Sequence, residues 1–395
     1  MRRIAANYIF PITSAPIHNG FIDFADDGTV AAVGQLDGET SGTEFYNGIL
    51  VPGFTNAHCH IELSHLEGKF REATGMSGFI DQINALRESA PKEQRIKAMR
   101  MQFEKLYNEG VSAMADISNC DESFAMKSGA EMYTRTFIEV FGSEPQDAES
   151  VITEARRLLA KAVDAGIDAG ITPHSPYTMS AELLRMASAE GLGTGFISYH
   201  NQESQEEDDM IGFHRGPLYE NYLNRHLSIV PATGKPALFH FTDRLQEIHP
   251  APFNEHILLI HNTVSREDSV RAAESILRHC TWVTCPLSNI FIHRRMADLP
   301  MLMELGVRIA IGTDSLSSNH ILSMVEEFKC IHSRYPQIPL QTILEWCCLN
   351  GAAALEKDRL LGSFEPGKKP GAVLIDCIDF TSMHLTPESK SKRII

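Results

Sequence analysis

Residues 51–65 read VPGFTNAHCHIELSH. An apolar approach ends in His58 and His60, with Glu62 and His65 beyond them. Alternate side chains on a strand share a face, so His58 and His60 point one way and Cys59 points the other, into packing. Two imidazoles delivered together at a strand end suit a single metal ion. Taken alone, H-x-H is a weak signal, since two ordinary surface histidines give the same letters. His65 falls in the loop after the strand and is not expected to be a ligand.

The rest of the chain repeats that strand signal. Eight apolar runs of strand length begin near residues 49, 111, 132, 169, 193, 256, 280 and 307. Amphipathic segments separate them. DAESVITEARRLLAKAVDAG places Val151, Ile152, Ala155, Leu158 and Leu159 on one face, and SAELLRMASAEG starts at a Ser180 N-cap and stops at Gly191. SREDSVRAAESILRHC behaves the same way from Ser265. Continuous apolar strands alternating with helices predict a parallel α/β fold, a (β/α)8 TIM barrel over residues 51–358, with a doubly wound open sheet as the alternative. Residues 1–50 and 359–395 differ, with short alternating runs and turn signals such as Asp27-Gly28. Neither end makes a core alone, so the two are expected to meet as one small β-sandwich-like domain.

Composition narrows the function. The 395 residues carry a formal net charge of −16, with 43% hydrophobic and 22% charged residues. Such a balance argues against nucleic acid and anionic membranes as partners, yet leaves a locally basic small-molecule site open. Charge and proline interrupt the N-terminal apolar stretch too early for a signal peptide, and no run reaches membrane-span length. None of the eight cysteines forms C-x-x-C. Buried free thiols in a reducing cytoplasm are expected.

In a barrel the chemistry sits at the C-terminal strand ends. Those ends supply His58 and His60, Asp116 and Ser118, Glu139 with Arg135 inside the same strand, His174, His200, His261, Cys285 and Asn289, and Asp314. Glu203 follows His200 by three residues and is placed to carry a proton for a metal-activated water. Its bland reading is a solvated carboxylate beginning the acidic run Glu206–Asp209. Asp314 in IGTDS is also a common turn, and a lone histidine such as His261 is usually structural.

Jointly these positions are specific. The segments PGFTNAHCH, PHSPYTMS, HNQES, LLIHN, CPLSN and IGTDSLSSN, with GSFEPGKKPG near the end, resemble the metal-dependent amidohydrolase superfamily. The branch resembled holds S-adenosylhomocysteine, guanine and aminodeoxyfutalosine deaminases and triazine chlorohydrolases. The resemblance runs over about residues 1–380. It implies one divalent metal, Zn2+ or alternatively Fe2+, held by His58, His60, His200 and Asp314. It further implies Glu203 as proton shuttle, His261 and Asp314 orienting the attacking hydroxide, and substrate contacts from Glu62, Arg135, His174 and Ser318. The implied activity is hydrolytic deamination of an amino-substituted purine or adenosine-like nucleoside through a metal-bound hydroxide, aminodeoxyfutalosine being one candidate. Dechlorination or cyclic-amide opening by the same hydroxide is the alternative. A homo-oligomer is a further expectation. Gln202 and Ser204 stand where the family usually has Ala and Thr, and Pro370-Gly371 where Ala-Asp is common. Strand 4 carries no lysine, which favours a mononuclear site.

The stretch also admits His60-Ile61-Glu62 as the H-x-E of cytidine-deaminase-type zinc enzymes. That class completes its ligands with P-C-x-x-C. Cys280 and Cys285 are too far apart to supply it, so the reading is excluded and Glu62 is left as a substrate contact or a loop carboxylate. A catalytically dead scaffold should have lost ligands, and all four are kept. Residues 203–255 are expected to cover the barrel mouth and set specificity. Within them, His214 and Arg215 are read as surface residues.

Overall fold

The computed structural model describes residues 1–38 and 41–395. Four strands open the chain: β1 (Arg2–Ile9), β2 (Ile17–Phe24), β3 (Val30–Gln35) and β4 (Thr43–Pro52). Eight follow that alternate with helices: β5 (Phe54–Cys59), β6 (Val111–Ser118), β7 (Tyr133–Val140), β8 (Asp168–Pro173), β9 (Phe196–Asn201), β10 (Phe253–His261), β11 (Leu277–Thr284) and β12 (Ile309–Ile311). β13 (Ala372–Ile375), β14 (Ile378–Asp379), β15 (His384–Leu385) and β16 (Ser391–Arg393) close it. Each of the eight expected apolar runs overlaps one of β5–β12.

The class is α/β with parallel sheets. β5 to β8 pair in parallel in chain order, and so do β9 to β12. Two seams join these sheets. At the first, Cys59 bridges Asp314 in the parallel sense, and the Thr313 and Asp314 amides both donate to the His58 carbonyl at 3.0 Å. At the second, the His200 amide donates to the His174 carbonyl at 2.9 Å, while the Thr172 hydroxyl donates to the Ser198 carbonyl at 2.6 Å. Ala57, Ala115, Phe137, Leu258, Val283 and Ala310, drawn from both sheets, form one buried cluster. Burial on both faces explains why these strands read as continuous apolar runs.

The two chain ends share a sheet. β13 lies antiparallel to β4, giving the six-stranded order β16-β13-β4-β1-β2-β3 over a core that includes Ile4, Ile22, Phe24, Leu50 and Phe364. Where a sandwich-like pair of sheets is expected, the described strands form this single sheet and the short ribbon β14–β15.

Local signals fare unevenly. Ser180 caps its helix, its hydroxyl accepting from the Leu183 amide at 3.2 Å. Gly191 is no stop: the helix runs to Gly193, and a Cβ at Gly191 would lie 2.6 Å from Ile197 Cγ1, so glycine is required there for close packing on β9. Ser265 is not the next cap, since that helix begins at Glu267 after Arg266, and Ser265 instead donates to the Gln202 side chain at 2.9 Å. Residues 203–255 form three helices, Gln205–Phe213, Pro217–Asn224 and Ala237–Ile248. Met210, Ile211, Leu218 and Tyr222 from this segment pack with Met76 of the helix Gly75–Leu86 in a satellite core. All eight cysteines are free; five are buried, Cys120 and Cys330 are half-buried, and Cys377 is exposed. Among the described residues no helix is long and apolar enough to cross a membrane.

The first seam is closely packed. A Cβ on Gly312 would sit 2.8 Å from the backbone nitrogen and oxygen of His58, closer than side chains approach. Gly312→Ala should therefore push β12 off β5, cost about 1–3 kcal/mol of stability and move His58. Chemical denaturation read beside metal affinity checks this; wild-type values for both would refute the close-approach role.

Candidate active site

His58 is fully buried, and neither of its ring nitrogens has a hydrogen-bond partner. Leaving two such atoms unsatisfied is costly unless something coordinates them. His58, His60 and His200 each bring a ring nitrogen within 4.8 Å of the others, with His60 Nε2 and His200 Nε2 3.4 Å apart. Asp314 Oδ1 lies 3.8 Å from His58 Nε2 and 3.7 Å from His60 Nε2. Ligand atoms on tetrahedral bonds of about 2.0–2.1 Å stand about 3.3–3.4 Å apart, so the four surround one point at nearly ligating separation. Burial, then neighbouring histidines, hold His58 and His200 well below the usual imidazole range; burial, then Arg87, holds His60 at about 3. Neutral imidazoles keep the lone pair a metal needs. The donor set fits one divalent ion.

Two of the candidate ligands are held from behind. Asp314 has a left-handed backbone, φ 56°, and its Oδ2 accepts from Ser288 at 2.6 Å and Ser318 at 2.7 Å. Those hydroxyls leave Oδ1 facing the histidines. Ser318, expected at the substrate, donates to a candidate ligand. His200 Nδ1 lies 3.2 Å from the His174 carbonyl and 3.3 Å from Glu139 Oε1, which fixes the ring with Nε2 toward the cluster. Burial, then Glu62, pushes the Glu139 carboxyl well above its usual range.

Glu203 is buried beside His261 Nε2 at 3.7 Å and His293 Nε2 at 3.8 Å. Burial works against its charge, but His261 and then His293 pull the carboxyl below its ordinary value, so it is a carboxylate at neutral pH. The acidic run that follows is not a solvated face. Glu207 is fully buried and accepts from the Gln202 and Glu203 amides at 2.7 and 2.9 Å. Gln202 thereby holds a left-handed φ of 44°. Asp208 accepts from the Ala237 amide at 2.8 Å, and Glu206 from the Met76 and Ser77 amides at 3.1 and 3.0 Å, each at the start of a helix.

The remaining expected positions divide. His174 lines the cavity, its Nδ1 2.8 Å from both the Ser175 and Thr178 hydroxyls. Glu62 turns from the cavity to accept from Arg87 Nη2 and the Asn119 amide, both at 2.7 Å. Arg135 is not brought to the cluster. It pairs with Asp168 at the first residue of β8, reaches Thr194 at 3.3 Å and stacks 4.3 Å over Phe196, all at the N-terminal ends of the strands. Its place inside β7, short of the strand end, is the reason. Asp116 pairs with buried Lys127 and accepts from the Ile61 amide at 3.2 Å, steadying the turn after His60. His214 meets the Val230 carbonyl at 2.7 Å and Arg215 pairs with Asp209.

The cluster opens into a cavity of about 460 Å³ whose lining includes His60, His200, Glu203, His261 and Asp314. Met76, Phe79, Ile80, Phe141, Tyr177 and Tyr222 supply apolar wall. Sequence reasoning gave no role to Ser288, Glu139, His293, Glu207 or Arg87. CPLSN contained Ser288 and a strand end contained Glu139; nothing in the sequence marked Arg87, at the end of a helix.

The family model described as Amidohydrolase family matches residues 49–392. The chain belongs to the amidohydrolase family. Among curated relatives, aminodeoxyfutalosine deaminase of Deinococcus radiodurans is 25% identical over 360 residues, covering 87% of this chain and 82% of its own. Adenosine deaminase of Helicobacter pylori is 25% identical over 331 residues, 82% of this chain and 78% of its own. The crystal structure of Helicobacter pylori aminofutalosine deaminase with methylthio-coformycin superposes with a TM-score of 0.79 at 20% identity, covering all of both chains, a likeness of fold.

In this amidohydrolase, the Ser288 and Ser318 hydroxyls hold Asp314 Oδ2 and leave Oδ1 toward the histidines. The double variant Ser288→Ala/Ser318→Ala should weaken divalent-metal affinity by about ten- to a hundred-fold. Competition against a chromophoric chelator measures it; an unchanged affinity would show that neither hydroxyl positions the ligand.

Proposed function

We propose that this amidohydrolase is a hydrolytic deaminase of an amino-substituted purine, in an adenosine-like nucleoside. The observation that carries the reading is Glu203: a buried carboxylate at the cavity wall, beside His261 and next to the four-residue donor set. The names of the similar proteins support the substrate class, and aminodeoxyfutalosine is the first candidate. The two joined seams support a (β/α)8 barrel over an open sheet, with the barrel at 51–358 and the ends, 1–50 and 359–395, as one small β-domain.

His58, His60, His200 and Asp314 would hold one divalent ion, zinc before iron. Bound there, it would supply the Lewis acidity that makes water nucleophilic near neutral pH. The chain's own groups do the rest. Glu203, ionised, takes a proton from the attacking water as the new carbon–oxygen bond forms, and delivers it to the adjacent ring nitrogen. His261 is held by its left-handed backbone, φ 74°, with Nδ1 3.4 Å from the Asn289 amide, and points Nε2 toward that water. Collapse of the adduct breaks the carbon–nitrogen bond, and Glu203 shuttles the second proton so that ammonia leaves. The apolar wall with Tyr177 and Phe141 excludes bulk water from the ring.

Glu203→Gln should lower kcat by about two to four decades while bound metal stays stoichiometric. Ammonia release from metal-loaded protein across aminopurines and adenosine derivatives, with chlorinated triazines and cyclic amides beside them, decides the reaction. Turnover confined to the chlorinated or cyclic-amide compounds would overturn the deaminase reading.

A further inference from the structure

Glu203 faces two cavities. Besides the main one, it lines a second chamber of about 330 Å³ together with Ser204, Thr263, Val264 and His293. Gln205, Arg294 and Arg295 stand around the same chamber and are exposed, so it opens at the protein surface. His293 lines this chamber and not the main cavity. It is the last residue of the helix Pro286–His293, and Arg294 turns the chain away with a left-handed φ of 55°. Its side chain is only 9% exposed. Its Nε2 is buried without a hydrogen-bond partner among the described residues, 3.8 Å from Glu203 Oε1. His261 Nε2 stands 3.7 Å from the same oxygen, but His261 belongs to the main cavity. An orphaned nitrogen aimed at the proton carrier, on a ring that lines a solvent-open chamber, is costly unless it is used.

The proton balance of deamination gives it a use. At neutral pH a nucleoside amine, one water and one proton become a ring carbonyl, with a proton on the neighbouring nitrogen, and ammonium. The two protons of the water pass through Glu203 to the ring nitrogen and the departing amine. The third proton comes from solvent. With a nucleoside in place and the apolar wall excluding bulk water, the main cavity is closed to it.

We propose that His293 and the chamber behind Glu203 are the proton port of the reaction: the ring takes a proton from chamber water and gives its Nε2 proton to Glu203 Oε1, and Glu203 passes one to ammonia. The proposal rests on the deaminase reading. The imidazole gains one proton and loses one, so it ends as it began. His293 touches no substrate and is a positioning residue that acts through Glu203.

Two variants of the metal-loaded enzyme test it. His293→Gln keeps an N–H beside Glu203 but relays no proton, and should lower kcat by about tenfold or more with KM and bound metal unchanged. His293→Ala should lose as much, and imidazole added to the assay should restore kcat in proportion to its concentration. A merely structural histidine would move KM or bound metal and would not answer to imidazole. Gln is polar and close in size, so that variant remains informative if His293→Ala fails to fold. Wild-type kcat in His293→Gln, or a folded His293→Ala enzyme indifferent to imidazole, would overturn the proposal. A second readout needs no turnover. In spectra of nitrogen-labelled histidine, the His293 ring signal, assigned by its loss in His293→Gln, should shift in Glu203→Gln. An unmoved signal would sink the port, whereas absence of ammonia from every aminopurine nucleoside would sink the deaminase reading and leave that signal to judge the coupling.

Discussion

The site depends on one backbone oxygen. The His58 carbonyl accepts the amides of both Thr313 and Asp314, and so ties the first barrel-type strand to the last. Residues 256 positions apart in sequence are thereby placed on adjacent strands with their ligating atoms within 4 Å. Asn56 strengthens the same seam, accepting from the Thr313 amide at 3.1 Å and donating to its hydroxyl at 2.8 Å. Two candidate ligands fall on one side of this junction and one on the other, so the joining of the two sheets sets their spacing before any side chain is aimed.

Around that junction, several buried carboxylates serve a neighbour. Carboxylates that would be costly if left unpaired are satisfied by backbone amides or helix starts, and each such bond also fixes a functional atom. Glu207 shapes the turn presenting Glu203, and Asp116 braces the turn leaving His60. His58 has neither ring nitrogen partnered, and its Nε2 faces Asp314 and the other histidines, which is why it reads as a metal donor.

The periodic part of this was legible in the sequence. Eight apolar runs gave the strands, and the four ligands lay at or beside strand ends, where a period-two pattern makes side-chain direction predictable. Positions on a strand end project into the cavity whatever the neighbours do. Arg135 was misplaced because it lies inside its strand, at the opposite end from the cavity. Ser265 was read as a cap but bonds to Gln202, and the bonds of Glu62 to Arg87 and of Ser318 to Asp314 were not foreseen, since a loop side chain's partner depends on elements distant in sequence. Glu207 and Asp208 looked solvated because a run of like charges normally is. Their burial follows from the Gln202–Glu203 turn folding over Glu207 and the start of the helix Ala237–Ile248 meeting Asp208, which no local pattern encodes.

Glu206 has a further consequence. It follows Glu203 by three residues and caps the helix Gly75–Leu86, whose far end is Arg87. The loop that presents Glu203 and the helix that walls the cavity are therefore tied together, and a shift of that helix would pull on the loop. The cavity can change shape more readily through side chains along the wall, such as Phe79, Ile80 and Ile83, than through movement of the helix itself.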